Sequence, residues 1–163
     1  MEQEQCDSKF QVKVIVRIRP INNHDNTNIN VFSGTDEKYD LEVSRENNSN
    51  ESSTDCFSFE NVFDQHSKQA DIFNATTDIL KAFINGCNGT IFSYGQTGAG
   101  KTYTISGGDQ YNTRGLLPRM LEYIFQKKTS FSDHQNGFNM EVSYLELYQE
   151  RLFDLLMEKK WPE

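Results

Sequence analysis

Residues 95–102 constrain the fold of this chain more than any other segment. Their letters, Gly-Gln-Thr-Gly-Ala-Gly-Lys-Thr, fit the pattern G-x-x-x-x-G-K-[S/T]. They follow a short apolar run at residues 90–94, Thr-Ile-Phe-Ser-Tyr, that predicts a buried strand. Glycines let backbone N–H groups approach phosphate oxygens, a lysine ammonium reaches the β and γ phosphates, and a threonine hydroxyl can ligate Mg²⁺. The segment is therefore predicted to be a phosphate-binding loop.

The local context favours this interpretation over a chance run of small residues. A predicted strand precedes the loop, and residues able to start a helix follow it, so motif and surroundings agree. Thr102 is also the candidate Mg²⁺ ligand. The candidate phosphate-binding residues are Gly95, Gln96, Thr97, Gly98, Ala99, Gly100, Lys101 and Thr102.

Charge and cysteine content exclude several classes of partner and site. The chain has 163 residues, which indicates one domain, and its formal charge is −8, from 16 basic and 24 acidic residues. Because binding to nucleic acid needs clustered lysine and arginine, we expect no nucleic-acid partner. Three cysteines without a C-x-x-C spacing suggest neither a disulfide framework nor a zinc site. The first 11 residues are polar and no long apolar run follows, so we expect a cytoplasmic protein that is not bound to a membrane.

The first third of the chain predicts strands around a polar insertion. Residues 12–18 alternate in the manner of a β-strand that Pro20 stops. Residues 21–55 are polar and asparagine-rich, and they predict a solvated, partly ordered insertion with weak strand-like pieces near residues 31–32 and 39–43. Strand character returns at residues 57–59 and 62–63.

Helical patterns dominate the middle of the chain. A helix is predicted from a cap at Ser67 to about Asn85, before Gly86, and its apolar stripe indicates core packing. A short helix is predicted after the loop, then turn-rich residues 107–112, and then a second helix from about Leu116 with Pro118 in its first turn. The stripe comprises Ala70, Ile72, Phe73, Thr76, Ile79, Leu80, Phe83 and Ile84.

The order of predicted elements indicates the fold class. Residues 138–144 alternate as a half-buried strand, and residues 152–157 form a short apolar turn. Strand, helix, strand, helix and strand in succession predict an α/β fold of the P-loop NTPase type, a layered sheet with flanking helices and the phosphate at the carboxyl end of a strand.

Four separated segments together resemble the kinesin motor domain. They are Val-Arg-Ile-Arg-Pro at residues 16–20, Phe-Ser-Phe-Glu-Asn-Val-Phe at 57–63, the loop with its surroundings at 88–104, and residues 142–156. The phosphate-binding loop is shared by many NTPases, whereas this ordered set is far more specific. The resemblance implies an amino-terminal extension at residues 1–9, the amino-terminal half of a motor domain at 10–157, and a charged tail at 158–163.

The resemblance also implies the ligand and the roles of individual residues. Arg17 and Pro20 would lie beside an adenine, with Tyr103 stacking on its other side. Residues 96–100 would wrap the α and β phosphates, Lys101 would neutralise the β/γ bridge, and Thr102 would hold the metal. The implied cofactors are ATP or ADP with Mg²⁺. The implied partner is the microtubule, which would place the protein on the cytoskeleton.

The family's two switch segments have no counterpart in this sequence. Neither an Asn-x-x-Ser-Ser-Arg-Ser-His segment nor an Asp-Leu-Ala-Gly segment occurs in the 163 residues. Since phosphoryl transfer needs groups that position the attacking water, we identify no catalytic residue and expect this chain alone not to hydrolyse ATP. The family's main microtubule contacts would also follow the matched region, and a charge of −8 opposes approach to acidic tubulin.

Two other functions stay open at the level of sequence. The first is a non-catalytic, nucleotide-binding interaction module, which an intact loop without switches would suit. The second is a small phosphotransferase, which would need an arginine-rich lid, and the basic residues Arg114, Arg119, Lys127 and Lys128 offer little of one.

Overall fold

A computed structural model describes residues 12–20, 27–33, 39–46, 52–130 and 140–157. The chain divides into two units, Met1–Ile124 and Phe125–Glu163. The predicted extension at residues 1–9 and the predicted tail at 158–163 lie outside the described residues. The strands are β1 (Ile15–Arg17), β2 (Thr27–Ser33), β3 (Tyr39–Glu46), β4 (Ser52–Phe59), β5 (Asn61–Phe63), β6 (Leu145–Tyr148) and β7 (Arg151–Asp154). The helices are α1 (Gln69–Asn74), α2 (Thr77–Ile84), α3 (Lys101–Ile105) and α4 (Leu116–Ser130), with a 3₁₀ turn at Tyr111–Thr113.

The first predicted strand forms, but it is shorter than predicted. β1 pairs in parallel with β5, with Val16 opposite Val62, and the ladder extends to a bond from Ile18 N to Phe63 O of 2.8 Å. Val62 is buried, whereas Val12 is exposed. β1 therefore begins where β5 can pair with it, and the chain leaves the ladder before Pro20, which has no N–H to donate.

The polar insertion is more regular than the sequence indicates. β2, β3 and β4 form an antiparallel three-stranded sheet in that order. The prediction of only weak strand-like pieces near residues 31–32 and 39–43 is therefore wrong in extent. Asparagine and serine have low β propensity, but ladder bonds join backbone groups and form whatever the side chains are. Pairs such as Leu41 opposite Phe57 add an apolar contact, and Leu41 is buried.

The predicted long helix is two short helices. The α1 cap is Lys68, whose N–H donates to Asp71 Oδ2 at 2.8 Å, so the assignment of Ser67 as cap is wrong. Ser67 instead donates its hydroxyl to Asp64 Oδ1 at 2.7 Å. The break between the helices lies at Thr76, whose buried hydroxyl donates to Phe73 O at 2.8 Å. A side chain that bonds the preceding turn competes with the helical backbone, which explains the interruption.

Loss of the Asp71 cap should lower stability by a modest amount. We expect Asp71→Ala to reduce the free energy of unfolding by about 1 kcal/mol, because the Lys68 N–H loses its acceptor. Asp78→Ala is the matched control, since within the described ranges the Asp78 side chain makes only an exposed contact, to Lys81 Nζ at 3.3 Å in the first turn of α2. Urea unfolding of both variants measures the difference, and equal losses would contradict the assigned cap.

The predicted apolar stripe is buried in part. Ile72, Thr76 and Leu80 are buried, as predicted for core positions, but Phe83 is half exposed. Phe73 meets Tyr123 of α4 edge to face, with 6.2 Å between ring centroids. The core of the first unit includes these buried residues of α1 and α2, and Leu116 and Ile124 of α4 are also buried. Phe83 follows the same periodicity on the last turn of α2, and the sequence pattern alone cannot tell which end of a stripe is covered.

The segment before the loop is not a strand in the part of the chain that the structure describes. Residues 90–94 have no ladder partner there, and Phe92 and Tyr94 are 79% and 93% exposed. The prediction of a buried strand at residues 90–94 is therefore wrong. The residue types favour a strand, but a strand exists only where a second strand completes its hydrogen bonds.

The segment after α3, predicted to be turn-rich, closes tightly. Gly115 N donates to Ser106 O at 3.0 Å, and Gly108 N donates to Thr113 O at 2.9 Å. Gly107 has φ +76°, and a methyl group there would overlap the backbone of Gly115 and Thr113. The helix α4 then begins at Leu116 with Pro118 in its first turn, as predicted.

The second unit contains a hairpin displaced from the predicted strand. β6 and β7 pair with Tyr148 opposite Arg151, and Gln149 and Glu150 have φ of 47° and 61°, as in a two-residue type I′ turn. Leu155 N donates to Tyr144 O at 2.7 Å. The predicted strand at 138–144 is wrong for 140–144, and its first two residues lie outside the described part. The turn at residues 149–150 sets the register, so the two strands pair on either side of it. Residues 152–154 of the predicted apolar turn therefore belong to β7.

Candidate functional site

The predicted phosphate-binding loop adopts a tight conformation directly before α3. Ala99 N donates to Gln96 O at 3.1 Å, and Thr104 N to Gly100 O at 2.9 Å marks the start of the helix. Gly98 and Gly100 have φ of 80° and 96°, in the left-handed region that glycine enters without strain. A methyl group on either glycine would meet nothing within 4 Å, so the space beside them is open. The loop therefore has the backbone conformation and the free space that an approaching anion needs.

Lys101 lies back over this loop. Its ammonium Nζ donates to Gly95 O and to Gln96 O, each at 2.8 Å. An ammonium group has three N–H donors, so these bonds use two of them. The lysine thus places a full positive charge at the loop, held there by the loop's own carbonyl groups.

Thr102 is exposed in the first turn of α3. Among the described residues, no group of three or more His, Cys, Asp and Glu side chains could hold a metal ion. A metal at this position would therefore take oxygen ligands from the Thr102 hydroxyl, a bound phosphate and water, which is the donor chemistry Mg²⁺ prefers. The residues fit that requirement without a carboxylate cluster.

Arg17 and Tyr103 come together although 86 positions separate them in sequence. The guanidinium carbon of Arg17 lies 5.2 Å from the centroid of the Tyr103 ring, and Arg17 Nη1 donates to Thr104 Oγ1 at 3.0 Å. Burial lowers the pKa of the Arg17 guanidinium from its ordinary value, and Tyr103 acts in the opposite direction. The group stays protonated at neutral pH, as arginine does in proteins, so it presents a fixed cation to the ring.

The predicted site residues fall into two groups that α3 connects. Lys101 and Thr102 belong to the loop group, and Tyr103 begins the second group with Arg17. Pro20 is exposed beyond the end of β1. The base-binding roles of Arg17, Pro20 and Tyr103 stay predictions.

Gln69 belongs to this second group, and sequence reasoning missed it. It is only 3% exposed, and its Oε1 accepts the bond from Arg17 Nη1 at 2.8 Å. Its Nε2 donates to Tyr103 O at 2.7 Å and to Thr113 O at 3.1 Å. A polar residue at the start of an apolar helix stripe gives no signal of such partners, since all of them lie 34 or more positions away.

The family comparison decides what kind of domain carries this site. A family model of the kinesin motor domain matches residues 17–163. The chain belongs to the kinesin motor domain family. The predicted resemblance is thereby confirmed over nearly the whole chain.

Individual kinesins match at moderate identity. The kinesin heavy chain of Neurospora crassa is 46% identical over 103 residues, which cover 61% of this chain and 11% of that protein. Kinesin-like protein klp-20 of Caenorhabditis elegans is 36% identical over 148 residues, which cover 90% of this chain and 23% of that protein. The chain thus spans a quarter or less of the length of these two relatives.

Solved kinesin structures share the fold. The structure of a fast kinesin is 37% identical, with a TM-score of 0.71, and the match covers 89% of this chain and 40% of that one. The motor domain of the Saccharomyces cerevisiae kinesin-related protein KAR3 is 26% identical, with a TM-score of 0.72, and the match covers 92% and 46%. The predicted fold class, an α/β P-loop NTPase fold in incomplete form, is confirmed.

No helix in the described ranges is long and apolar enough to span a membrane.

Proposed function

We propose that this chain binds ATP or ADP together with Mg²⁺, as the nucleotide-binding part of a kinesin-type microtubule motor. The observation that carries the proposal is the loop at residues 95–102, with Lys101 held over it at 2.8 Å from two carbonyl oxygens in a kinesin motor domain. The phosphates would occupy the open space beside Gly98 and Gly100, where Lys101 can exchange a loop carbonyl for a phosphate oxygen.

The short helix after the loop makes a limited contribution. α3 has five residues, and a helix dipole grows with the number of aligned peptide units. The lysine charge and the loop N–H groups therefore supply most of the attraction for phosphate. Thr102 would hold Mg²⁺, which would supply positive charge to neutralise part of the charge on the phosphates.

The base would stack on Tyr103. The ring is 47% exposed, and Arg17 already lies 5.2 Å from its centroid. A purine between the two would need about 7 Å, twice a ring contact of about 3.5 Å. The base therefore either displaces Arg17 or stacks on ring surface that Arg17 leaves free, and the second arrangement keeps the bonds from Arg17 to Gln69 and Thr104. In that arrangement Arg17 supports the ring and does not form the opposite wall of a slot.

Nucleotide binding can be tested on the full chain. We expect a fluorescent ADP analogue to bind saturably, more tightly with Mg²⁺ than in EDTA. Thr102→Val should weaken binding about tenfold in Mg²⁺ and leave it unchanged in EDTA, because only the metal ligand is lost. Thr77→Val removes a hydroxyl outside the site, where Thr77 donates to Asn74 O at 2.9 Å, and should change neither value. A wild-type chain that binds no nucleotide would contradict the proposal.

Hydrolysis and movement are proposed for the longer kinesin-type protein. The two relatives described above are several times longer than the region they share with this chain. Sequencing the transcript past codon 163 tests this part of the proposal. An in-frame continuation that encodes both switch segments supports a motor on the cytoskeleton of the cytoplasm, and a stop codon there contradicts it. Saturable binding without phosphate release would then favour the non-catalytic module.

A further inference from the structure

We propose that Gln69 is a positioning residue for base recognition, because it fixes Arg17 against Tyr103 and so orients the ring on which a nucleotide base stacks. The inference rests on the proposed nucleotide-binding function and assigns a role to a residue outside the phosphate-binding loop. Gln69 would contact neither the base nor the phosphates itself.

Both ends of the Gln69 amide are engaged. The carbonyl oxygen accepts from Arg17 Nη1 at 2.8 Å, and the amide nitrogen donates to Tyr103 O at 2.7 Å and to Thr113 O at 3.1 Å. These partners belong to β1, to α3 and to the 3₁₀ turn. One buried side chain therefore links three elements around the ring, and a primary amide is the group that can accept on one side and donate twice on the other.

Tyr103 is held twice by this arrangement. Gln69 binds its backbone carbonyl directly, and Arg17 lies over its ring while Gln69 and Thr104 hold the guanidinium. A long arginine side chain without such acceptors would sample many rotamers, so the two bonds fix where its charge lies. Gln69 thus acts on the position of the stacking ring in two ways, through the Tyr103 backbone and through Arg17.

The residues expected to bind phosphate are not hydrogen-bonded to Gln69 in the described part of the chain. Lys101 is held by Gly95 O and Gln96 O, and Gln69 makes no bond to these residues within the described part of the chain. Loss of the Gln69 amide should therefore affect the binding of the base and leave the binding of the phosphates unchanged. Affinity for a ligand with a base should fall, and affinity for inorganic tripolyphosphate should not.

The test compares ADP with inorganic tripolyphosphate on the full chain in Mg²⁺, by calorimetry or by competition with a fluorescent analogue. For Gln69→Met, which keeps the length but removes the hydrogen bonds, we expect ADP affinity to fall about tenfold and tripolyphosphate affinity to stay within about twofold. Thr76→Val is the control. Thr76 is another buried polar residue, and its bond to Phe73 O lies away from Arg17, so the ratio of the two affinities should not change even if the melting temperature does.

Two further variants keep the inference falsifiable if Gln69→Met folds poorly. Gln69→Glu keeps an acceptor for Arg17 but loses both donors, including the one to Tyr103 O, so we expect ADP affinity to fall by only about threefold, less than in Gln69→Met, with a lower melting temperature. Thr104→Val removes the other Arg17 acceptor and should weaken ADP about threefold without affecting tripolyphosphate. A merely structural Gln69 would instead make ADP affinity follow the melting temperature in every variant.

The outcomes distinguish this inference from the proposed function. If the wild-type chain binds ADP but Gln69→Met weakens both ligands equally, or neither, the positioning role is wrong and nucleotide binding stands. If the wild-type chain binds tripolyphosphate but not ADP, base recognition fails as a whole and both the proposed function and the role of Gln69 are overturned.

Discussion

Lys101→Ala is expected to weaken binding of ATP and ADP by at least about 100-fold, because charge-assisted bonds to phosphate are lost together with the only ammonium placed over the described loop. The loop carbonyls of Gly95 and Gln96 would lose their partner too, but the loop is open to water, which can replace it. Stability should therefore change much less than affinity. Titration of a fluorescent ADP analogue in Mg²⁺ measures the first quantity, and urea unfolding the second.

Lys81→Ala is the matched control for this prediction. It changes the net charge by the same amount, but Lys81 lies exposed on α2, and among the described residues its ammonium contacts only Asp78, at 3.3 Å. We expect its ADP affinity to stay within about twofold of wild type, since an isolated surface charge is screened by salt. If both variants lost affinity alike, overall charge and not the position of Lys101 would govern binding, and the site assignment would be wrong.

Gly107→Ala is expected to lower the free energy of unfolding by at least about 3 kcal/mol, because the new methyl group would overlap backbone atoms that cannot rotate away. Gly107 also has φ +76°, which disfavours alanine in its own right. The overlap falls on Thr113 and Gly115, so the turn between α3 and α4 would have to open. Since Gln69 donates to Thr113 O, the loss should extend to the base-stacking side of the site.

Gly86→Ala separates the overlap from the backbone strain. Gly86 has φ +91° at the end of α2, but a methyl group there meets nothing within 4 Å. We therefore expect it to cost about 1 kcal/mol, from strain alone. Urea unfolding of both variants gives the comparison, and similar losses for the two would show that the close approach at Gly107 is not what the chain depends on.

The site was predictable from sequence where its parts are contiguous. Residues 95–102 carry their chemistry in one stretch, so a pattern of residue types is enough to propose a phosphate-binding loop, and α3 follows it as predicted. The link between Arg17 and Gln69 spans 52 positions, and no local pattern records it. The resemblance to kinesins placed Arg17 and Tyr103 on opposite sides of an adenine, whereas in the structure Arg17 lies 5.2 Å from the centroid of the Tyr103 ring. Gln69 had no such support, and it emerged only from its hydrogen bonds.

The fold errors have a common cause. Residues 90–94 have the composition of a strand but no partner in the described chain, whereas β4 has three serines and an aspartate among its eight residues and pairs with β3 over its whole length. Strand pairing joins the backbones of two separate segments of the chain. The composition of one segment alone therefore neither guarantees nor forbids its pairing. The cap of α1 is a smaller case. The sequence predicts Ser67 as the cap, but the cap is Lys68, whose N–H donates to the carboxylate of Asp71 three positions later.

The sequence by itself determined the family and the positions at which α3 and α4 begin, and it predicts the phosphate-binding loop, because these depend on short runs of residue types and on local backbone preference. Only the tertiary structure decided how far each strand extends, where the helix after Ser67 breaks, and that a buried amide at Gln69 joins Arg17 to Tyr103. Those features depend on hydrogen bonds between segments far apart in the chain. Such bonds form only when the folded chain brings donor and acceptor together. The same residue types could form hydrogen bonds in many other arrangements, so the sequence alone does not identify their partners.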